Sequence, residues 1–497
     1  MSEQIFDPTR LSLDEQVAYL LEGTYFADEG GADAASVGQA SVLANNASQA
    51  GTLAPQASTL RKQMAAELKA KLAASAKARA AGEAHWPLRI YLGVDPTRES
   101  LHIGHMISCV NLRRFQRLGH QVIFLIGDYT ATVGDPSGQS SERPQLTHER
   151  VLELAKFYTD QAFRLLHPLA EQRQYSGGIV TELGVEVRHN GDWLAELRFA
   201  QLAELMALFP VKQILAREDF RQRLDSGEGL RAHELLYAFM QGYDAFALNC
   251  DVQVGGYDQH FNLLAGRIIQ QYFKDKLAGQ DHPLFATRPA GGRSVKGPHV
   301  MLTYPLLMGT DGRKMSKSWG NTIDVLDAPA DIYGKVMRIS DEMIAHYIDI
   351  AVEAAPEEKQ LQKAAAAGDP MGVKKWISHS LTALYCGAAA ADEAAEHFRR
   401  TVQEKVFSDR DIVDSDFGKG IDSETVDRRD DQGRPQFMLF EIMVEVGLAS
   451  SKSEARRLIS QGGVRINGKT VTNPFEICTY IPGTLLQVGK RKIVRLM

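Results

Sequence analysis

Residues 88–105 read LRIYLGVDPTRESLHIGH, and this stretch decides the fold. It begins with a short apolar run that an Asp-Pro pair closes, as expected of a buried strand. An amphipathic segment follows from about residue 104 to 118, and residues 121–127, QVIFLIG, form a second buried-strand pattern. A strand, a helix and a strand in about 40 residues make a βαβ unit. The stretch therefore predicts a parallel, helix-covered sheet.

Ligands on such sheets bind beyond the carboxyl ends of the strands, where Asp95 and Asp128 fall. At the start of the helix, His102 and His105 are spaced to lie on one face, beside free backbone N–H groups and the positive end of the helix dipole. Gly104 between them leaves room for a flat ring or a phosphate. No further His or Cys stands there at a zinc-ligand spacing. The pair is therefore either structural or an anion cradle.

A second candidate site is a loop at residues 309–318, which reads GTDGRKMSKS. Its two lysines, Lys314 and Lys317, would neutralise charge that develops as pyrophosphate leaves. The alternative is a solvated basic loop. The chain lacks the Gly-x-x-x-x-Gly-Lys-Ser/Thr phosphate loop, so a nucleoside triphosphate would bind by another route.

The composition is that of an ordinary globular protein, with 44% apolar and 24% charged residues, and 497 residues suffice for several domains. Four scattered cysteines without a CxxC pair fit a reducing compartment. No run reaches the ~18 apolar residues of a spanning helix, and residues 1–15 are too polar for a signal peptide. We therefore expect a cytoplasmic protein without membrane contact.

The net charge of −6 hides an uneven distribution. Residues 435–497 hold nine Lys/Arg and four Glu, a local charge of +5, so the remaining residues carry −11. A basic tail on an acidic body suggests that one end contacts a polyanion. In the tail, Ser451-x-x-Glu454 predicts a capping box at the start of a basic helix, and Asn467-Gly468 predicts a tight hairpin.

Such a surface suits phosphate contacts and recognition of RNA by shape, and the alternative is a solvated charged face. The candidate RNA-binding residues are Lys452, Arg456, Arg457, Arg465 and Lys469.

The histidine and lysine motifs together resemble the HIGH and KMSKS motifs of class I aminoacyl-tRNA synthetases. Further matches narrow the resemblance to the bacterial type of the tyrosyl-tRNA synthetase family, and the tail resembles the RNA-binding domain shared with ribosomal protein S-four. The matching stretches are YLGVDPTRESLHIGH at 91–105, GDPSG at 134–138, YAFMQGYD at 237–244, QVGGYDQ at 253–259 and GLASSKSEARRLI at 447–459.

The resemblance implies a Rossmann-like α/β catalytic domain, an α-helical domain and a small α+β RNA-binding domain. It implies that the carboxylate of L-tyrosine attacks the α-phosphate of ATP, giving tyrosyl-adenylate and pyrophosphate, and that the tyrosyl group then moves to the 3′ end of tRNA(Tyr). Neither step needs a covalent protein nucleophile, so the protein would act by positioning and electrostatics. ATP with Mg²⁺, no protein-bound metal and a homodimer are also implied.

The resemblance assigns roles to individual residues. His102 with Thr97 would hold the γ-phosphate, His105 would lie against the ribose, and Asp258 would bind ribose hydroxyls. The implied catalytic residues are His102, His105, Thr97, Lys314, Lys317 and Arg143, and the implied ATP-binding residues are Asp95, His102, Gly104, His105, Asp258 and Lys317.

Tyrosine would be selected by its phenol, which Tyr91 and Asp244 would hydrogen-bond, since leaving these buried groups unpaired would reject phenylalanine. Tyr237, Gln241 and Asp244 stand at i, i+4 and i+7, one stripe of a predicted helix, and such a stripe facing a core needs a polar ligand. The implied tyrosine-binding residues are Tyr91, Asp135, Tyr237, Gln241, Asp244 and Gln259, of which Asp135, Tyr237 and Gln241 would hold the α-ammonium group and Gln259 the carboxyl region.

Two positions depart from the family pattern. Gln139 stands where many members carry a lysine, although Arg143 remains nearby. Leu92 stands where some relatives have a small polar residue near the ribose, so we assign it no binding role.

The predicted domains follow these motifs. Residues 1–85 form an Ala-rich extension, a poorly ordered linker followed by an exposed helix, which is either a surface embellishment or a tRNA-contacting arm. The catalytic domain spans 86–327, the α-helical tRNA (anticodon) domain 328–413, an Asp/Gly-dense linker 414–434 and the RNA-binding domain 435–497.

Three other functions share part of this evidence. A tryptophanyl enzyme has the same core, but Asp244 with Tyr91 and the basic tail favour tyrosine. A nucleotidyltransferase that makes a small adenylate without tRNA would not need the tail. An inactive RNA-binding protein would not need the intact histidine pair and both lysines.

Overall fold

The computed structural model describes residues 10–26, 59–83, 86–97, 99–137, 146–175, 178–227, 229–277, 297–315, 319–404, 412–415, 417, 428–489 and 492–497. The chain divides into two compact units, Met1–Ala391 and Asp392–Met497. Across the described ranges, no helix is long and apolar enough to cross a membrane.

A parallel sheet lies at the centre of the first unit, with the described strands in the order β5-β2-β1-β6-β7. From β1 the chain adds β2 on one side and later β6 on the other, so the topological switch point lies between β1 and β6. The predicted βαβ unit and parallel sheet are confirmed. The strands are β1 (Arg89–Val94), β2 (Gln121–Ile126), β5 (Glu186–His189), β6 (Val252–Gly256) and β7 (Val300–Tyr304).

Helices cover this sheet, and a separate antiparallel hairpin joins β3 (Glu171–Tyr175) to β4 (Gly178–Glu182). The apolar side chains of β1, β2, β6 and β7 are buried with those of the helix that follows β1. The helices from the first strand to the last are α3 (Ile103–Arg117), α4 (Thr130–Val133), α5 (His148–Ala162), α6 (Gly191–Leu194), α7 (Phe199–Met206), α8 (Val211–Leu215), α9 (Glu218–Asp225), α10 (Tyr237–Ala247) and α11 (His260–Leu277).

Two helices precede the sheet, α1 (Leu13–Leu21) and α2 (Thr59–Ala80). The prediction of an exposed helix is wrong for α2, because Met64, Leu68 and Leu72 form a buried stripe that joins the main core. Glu67, on the same helix, forms a two-oxygen ion pair with Arg267 at 2.7 and 2.9 Å. The predicted linker before α2 falls within residues 27–58, which lie outside the described ranges.

The helices after β7 share the core of the sheet. Ile332, Tyr347 and Ile377 belong to the same buried cluster as Ile103 of α3. The helix-rich prediction is confirmed, and these helices fall in the same compact unit as the sheet up to residue 391. They are α12 (Pro329–Val336), α13 (Ile344–Ile350), α14 (Pro356–Ala365), α15 (Pro370–Cys386) and α16 (Ala388–Phe398).

The second unit is α+β, as predicted. Its described strands form one sheet in the order β11-β10-β13-β14-β8 and a ribbon of β9 with β12. Asp414 and Ser415, which we assigned to a linker, instead complete β8, which pairs in parallel with β14. Residues 416 and 418–427 of that linker lie outside the described ranges. The elements are β8 (Ile412–Ser415), β9 (Gln436–Met438), α17 (Leu439–Glu445), α18 (Lys452–Ser460), β10 (Val464–Ile466), β11 (Lys469–Val471), β12 (Ile477–Thr479), β13 (Leu485–Val488) and β14 (Lys492–Leu496).

Candidate active site

A buried carboxylate lies on helix α10. Asp244 is 2% exposed, its Oδ1 accepts a hydrogen bond from Trp193 Nε1 at 2.7 Å, and its Oδ2 accepts one from Asn190 Nδ2 at 3.2 Å. Burial raises the pKa of the Asp244 carboxyl well above its usual range, although the two hydrogen bonds oppose this shift. A carboxylate has about four lone-pair sites, so Asp244 retains the capacity to accept a further O–H donor.

Tyr91, on the central strand β1, is fully buried. Its hydroxyl donates to the backbone carbonyl of Gln241 at 3.4 Å. Burial raises the pKa of Tyr91, with smaller contributions from Cys250 and Asp244, so the phenol keeps its proton. Tyr91 and Asp244 do not bond to each other; the Tyr91 hydroxyl, from β1, reaches the helix α10 that carries Asp244.

The predicted polar stripe is confirmed as part of one helix, since Tyr237, Gln241 and Asp244 all lie on α10. The Tyr237 hydroxyl donates to Asp95 Oδ2 at 2.8 Å. Gln241 Oε1 is buried and has no hydrogen-bond partner among the described residues. Because a buried acceptor without a partner is costly, this oxygen fits a donor supplied by a ligand.

Asp95 follows β1 and is linked to Asp244 through a chain of side chains. Thr130 Oγ1 donates to Asp95 Oδ1 at 2.8 Å, and Asn190 Nδ2 donates both to Thr130 Oγ1 at 2.9 Å and to Asp244. A Cβ atom at position 127 would collide with Asp95 Oδ1, so Gly127 permits this approach. The network links Asp95, at the carboxyl end of β1, to Asp244 on α10, and so reaches the edge of the sheet where ligands bind.

A second polar group surrounds Asp135. Its Oδ2 accepts from Gln259 Nε2 at 2.7 Å, and its Oδ1 accepts from the Ser137 N–H at 2.9 Å. Asn262 Nδ2 donates to Gln259 Oε1 at 2.9 Å, and Arg217 Nη1 donates to Asn262 Oδ1 at 3.1 Å. The structure thus brings together Asp135 and Gln259, which were predicted to bind different ends of the amino-acid backbone of tyrosine, and it adds Arg217 and Asn262 as supports that the sequence did not indicate.

The two histidines lie where the sequence placed them. His102 is the N-cap residue of α3, and its backbone N–H donates to His105 Nδ1 at 3.3 Å. The two rings stack at 3.7 Å with an angle of 27°. A Cβ at Gly104 would lie only 3.0 Å from His102 Nδ1, so glycine provides the room that the motif needs.

The residues just before and just after the lysine loop lie next to the histidine motif. Lys314 is half-exposed, and its backbone forms an antiparallel bridge with Met308. After the loop, the Ile323 carbonyl accepts from the Ile103 N–H at 2.9 Å. The described part of the lysine loop and the start of α3 therefore belong to one structural neighbourhood.

The remaining predicted residues fall in different places. Thr97 lies in the loop after β1, and Asp258 lies in a short 3₁₀ turn after β6. Leu92, which we assigned no role, is part of the core. The predicted positions Lys317 and Arg143, and the departure at Gln139, lie outside the described residues. The described residues contain no cluster of three or more His, Cys, Asp or Glu side chains able to hold a metal ion.

Sequence reasoning missed Asn190 and Trp193. Asn190 directly follows β5, and Trp193 lies one turn later on the four-residue helix α6. The signal that pointed to Asp95 and Asp128, a polar residue after a strand, applies equally to Asn190. It was missed because the strand before it, Glu186–His189, contains one valine among polar residues and does not form a buried apolar run.

The basic helix of the second unit begins as predicted, but its capping box differs. Ser451 accepts a hydrogen bond from the Glu454 N–H at 3.2 Å, whereas the Glu454 carboxylate bonds to the N–H of Ser450 rather than that of Ser451. The Asn467-Gly468 hairpin is confirmed, and both residues have positive φ, 48° and 81°.

The candidate RNA-binding residues do not form one uniform surface. Lys452 forms an ion pair with Glu441 at 2.8 Å, and the Arg456 guanidinium lies 4.1 Å from the centre of the Phe440 ring. Arg457 Nη1 donates to Gln461 at 3.3 Å. Arg465 and Lys469 occupy alternating positions of the β10–β11 hairpin, because Arg465 pairs with Thr470 and Lys469 with Ile466, so their side chains belong to opposite faces.

The family model described as tRNA synthetases class I (W and Y) matches residues 83–403, and the S4 domain model matches residues 439–479. The tyrosine–tRNA ligase of Thermotoga maritima is 38% identical over 415 residues, which cover 82% of this chain and 90% of that relative. The chain belongs to the tyrosine–tRNA ligase family.

A second sequence relative and a solved structure agree with this family assignment. The tyrosine–tRNA ligase of Moorella thermoacetica is 38% identical over 415 residues, covering 82% of this chain and 88% of that relative. A C-terminally truncated mitochondrial tyrosyl-tRNA synthetase of Aspergillus nidulans superposes with a TM-score of 0.53 at 20% identity, covering 78% of this chain and 94% of that one. The structural likeness concerns the fold, and the sequence relatives favour the tyrosine branch over the tryptophan branch.

Proposed function

We propose that this member of the tyrosine–tRNA ligase family activates tyrosine with ATP at the ends of β1, β2 and β6, and then transfers it to tRNA(Tyr). The observation that carries the proposal is the buried Asp244 carboxylate, oriented by Trp193 and Asn190 and able to accept one more hydrogen bond. A phenol O–H is a matching donor. Together with the Tyr91 hydroxyl, Asp244 would select tyrosine, because phenylalanine has no hydroxyl to bond to either group.

The other end of the amino acid would lie against Gln241, Asp135 and Tyr237. Gln241 Oε1 is a buried acceptor with no partner in the described part of the chain, and an α-ammonium group supplies N–H donors. Asp135 adds negative charge, and Gln259, which donates to Asp135 at 2.7 Å, would face the substrate carboxyl group. Asp95 bonds to Tyr237 and so belongs near this end as well as near ATP.

ATP would bind along the histidine motif and the lysine loop. His102 with Thr97 would hold the γ-phosphate, His105 and Asp258 the ribose, and Lys314 the departing pyrophosphate. Because the stacked histidine rings lie at the N-terminus of α3, they stand beside backbone N–H groups and a positive dipole end. Lys317 and Arg143 keep the roles that the resemblance implies, and Mg²⁺ would accompany the ATP phosphates.

Catalysis in this proposal is positioning and electrostatic stabilisation. The tyrosine carboxylate oxygen forms a bond to the α-phosphorus of ATP, the bond from that phosphorus to the bridging oxygen breaks, and pyrophosphate leaves with the electron pair. The lysine ammonium groups would neutralise the charge that develops on pyrophosphate. No side chain is required to form a covalent intermediate.

The test is ATP–pyrophosphate exchange measured separately with tyrosine, tryptophan and phenylalanine. We expect exchange with tyrosine and none above background with the other two. Exchange with tryptophan alone would overturn the assignment of the amino acid. Exchange with tyrosine but no charging of purified tRNA(Tyr) would instead support an adenylate-forming enzyme that does not use tRNA.

The second unit would bind the tRNA through Lys452, Arg456, Arg457, Arg465 and Lys469. Its match to the S4 domain supports this assignment. Electrostatic contact with phosphates would supply most of the affinity.

A homodimer and a cytoplasmic location complete the proposal. Exposed apolar side chains on α7 and α8, which are Phe199, Met206, Val211 and Leu215, would be covered in the dimer. Sedimentation equilibrium would measure the association directly. All four cysteines are free thiols, which is compatible with a reducing compartment.

A further inference from the structure

The backbone of Met308, at the start of the lysine loop, is held by side chains from a distant helix. Its N–H donates to His346 Nε2 at 3.2 Å, and its carbonyl oxygen accepts from the Tyr347 hydroxyl at 2.8 Å. His346 and Tyr347 are consecutive residues of α13. One helix turn therefore pairs with both backbone polar groups of a single loop residue.

The hydrogen bonding within the loop explains why Met308 needs these partners. Met308 and Lys314 face each other in an antiparallel bridge, in which the Gly309 N–H donates to the Arg313 carbonyl at 2.7 Å. In this arrangement the facing residues turn their own N–H and C=O groups away from each other. Because Met308 is buried, those outward groups need partners from the protein, and His346 and Tyr347 supply them.

Both side chains are in the protonation state that this contact requires. An imidazole nitrogen accepts a hydrogen bond only when it carries no proton. Burial lowers the pKa of His346 to about 4, with a smaller opposing effect of Asp349, so the ring is neutral near pH 7. Burial raises the pKa of Tyr347, so its hydroxyl remains a donor.

Met308, which His346 and Tyr347 hold, lies beside both the lysine loop and the histidine motif. Met308 pairs with Lys314, whose carbonyl also accepts from Asn321 Nδ2 at 3.1 Å. Leu307, immediately before Met308, is so near the histidine motif that a Cβ at Gly104 would lie 3.6 Å from its Cβ. A displacement of Met308 would therefore move the backbone of Lys314 relative to the start of α3.

We propose that His346 and Tyr347 are positioning residues for adenylate formation, because they fix Met308 and, through its bridge, the backbone from which Lys314 reaches the substrate. The inference rests on the proposed function, in which Lys314 contacts the departing pyrophosphate. Neither residue touches the reacting atoms, so their contribution should appear in the rate of adenylate formation and not in tyrosine binding.

Four variants of the full chain test this inference. His346→Leu removes the acceptor, whereas His346→Gln keeps an amide oxygen in its place. Tyr347→Phe removes the donor. Tyr385→Phe is the matched control, because the Tyr385 hydroxyl, on α15 in the same helical region, is buried but has no hydrogen-bond partner in the described part of the chain. The measurements are single-turnover formation of tyrosyl-adenylate over a range of ATP concentrations and equilibrium binding of tyrosine without ATP.

We expect His346→Leu and Tyr347→Phe to slow adenylate formation by about tenfold while the Kd for tyrosine changes by less than about twofold, since small misplacements of a catalytic group cost rate and not ground-state binding of the other substrate. His346→Gln should recover most of the rate, and Tyr385→Phe should retain it. Three results would overturn the inference: a normal rate in His346→Leu, no recovery in His346→Gln, or a parallel loss of tyrosine binding. Failure of the unmodified chain to form adenylate would instead refute the proposed function.

Discussion

The site around Asp244 and the basic surface of the second unit are built in opposite ways. Asp244, Asn190 and Trp193 form a buried network with hydrogen bonds of 2.7 and 3.2 Å. Four of the candidate cations of the second unit, Lys452, Arg457, Arg465 and Lys469, are exposed, and Arg456 is half-buried. The Lys452 ion pair with Glu441, at 2.8 Å, lies in solvent. A buried polar group that loses its partner costs far more than an exposed one, because water replaces only the exposed partner.

The difference separates specificity from affinity. The hydrogen bonds from Trp193 and Asn190 orient the Asp244 carboxyl group, so in the proposed function it would distinguish ligands by a single hydroxyl. In the proposed function, the exposed cations would attract phosphates without fixing their geometry, and their effects should add as independent charges. We therefore expect steep losses from single substitutions in the first region and shallow losses in the second.

The largest effect should come from Asp244→Asn, which removes the carboxylate but keeps its shape. We expect kcat/KM for tyrosine in the exchange assay to fall by about 10²–10³-fold, because an amide NH₂ group replaces one carboxyl oxygen and leaves the substrate hydroxyl or a neighbouring donor, Trp193 or Asn190, poorly paired. Asp128→Asn is a useful control, because Asp128 is also buried after a strand but bonds to His189 and Gly191.

A loss below about tenfold in Asp244→Asn, or an equal loss in Asp128→Asn, would show that the region around Asp244 does not select the substrate by this hydrogen bond. The Asp244 region would then not show the steep loss that we expect from a single substitution in a buried network.

The sequence predicted those parts of the site that repeat a local period or follow a buried strand. The α10 stripe of Tyr237, Gln241 and Asp244 is visible because three polar residues interrupt an apolar helical segment. Asp95 is visible because it ends an apolar run. These patterns are local, so they can be recognised without knowledge of the tertiary structure.

Contacts between elements that are distant in the sequence could not be predicted from such local patterns. Trp193 donates to Asp244 across 51 positions of sequence, and α6 is too short to show a period. His346 reaches Met308 across 38 positions. The apolar stripe of α2 was concealed by the alanines around it, because alanine fits buried and exposed helix positions equally well.

The next effect in size tests how Asp244 is oriented. Trp193→Phe keeps an aromatic ring but removes the N–H that bonds to Asp244 Oδ1 at 2.7 Å. We expect the Kd for tyrosine to rise by about tenfold, the equivalent of about 1.4 kcal/mol, because a bound phenol would then meet a less well-fixed carboxylate. Titration calorimetry measures this change.

Trp376→Phe is the matched control for that substitution. The Trp376 N–H, on α15, also donates to a carboxylate, that of Glu358 on α14, at 3.0 Å, but this bond is exposed. Its loss should leave tyrosine binding unchanged. Similar effects of the two substitutions would mean that the Trp193 bond contributes through general stability and not through the orientation of Asp244.

The smallest effect should come from the exposed cations. Arg465→Gln should weaken tRNA binding by about two- to fivefold and reduce the slope of log K against log salt concentration by about 0.7–0.9, the contribution of one phosphate contact. Lys452→Gln should have a smaller effect, because Lys452 must leave Glu441 before it can contact a phosphate. Both variants should retain the wild-type rate of tyrosine-dependent exchange. If Arg465→Gln lowers tRNA affinity without changing the salt slope, the residue acts through a directed contact, and the basic surface would resemble the Asp244 network more closely than its exposed ion pairs indicate.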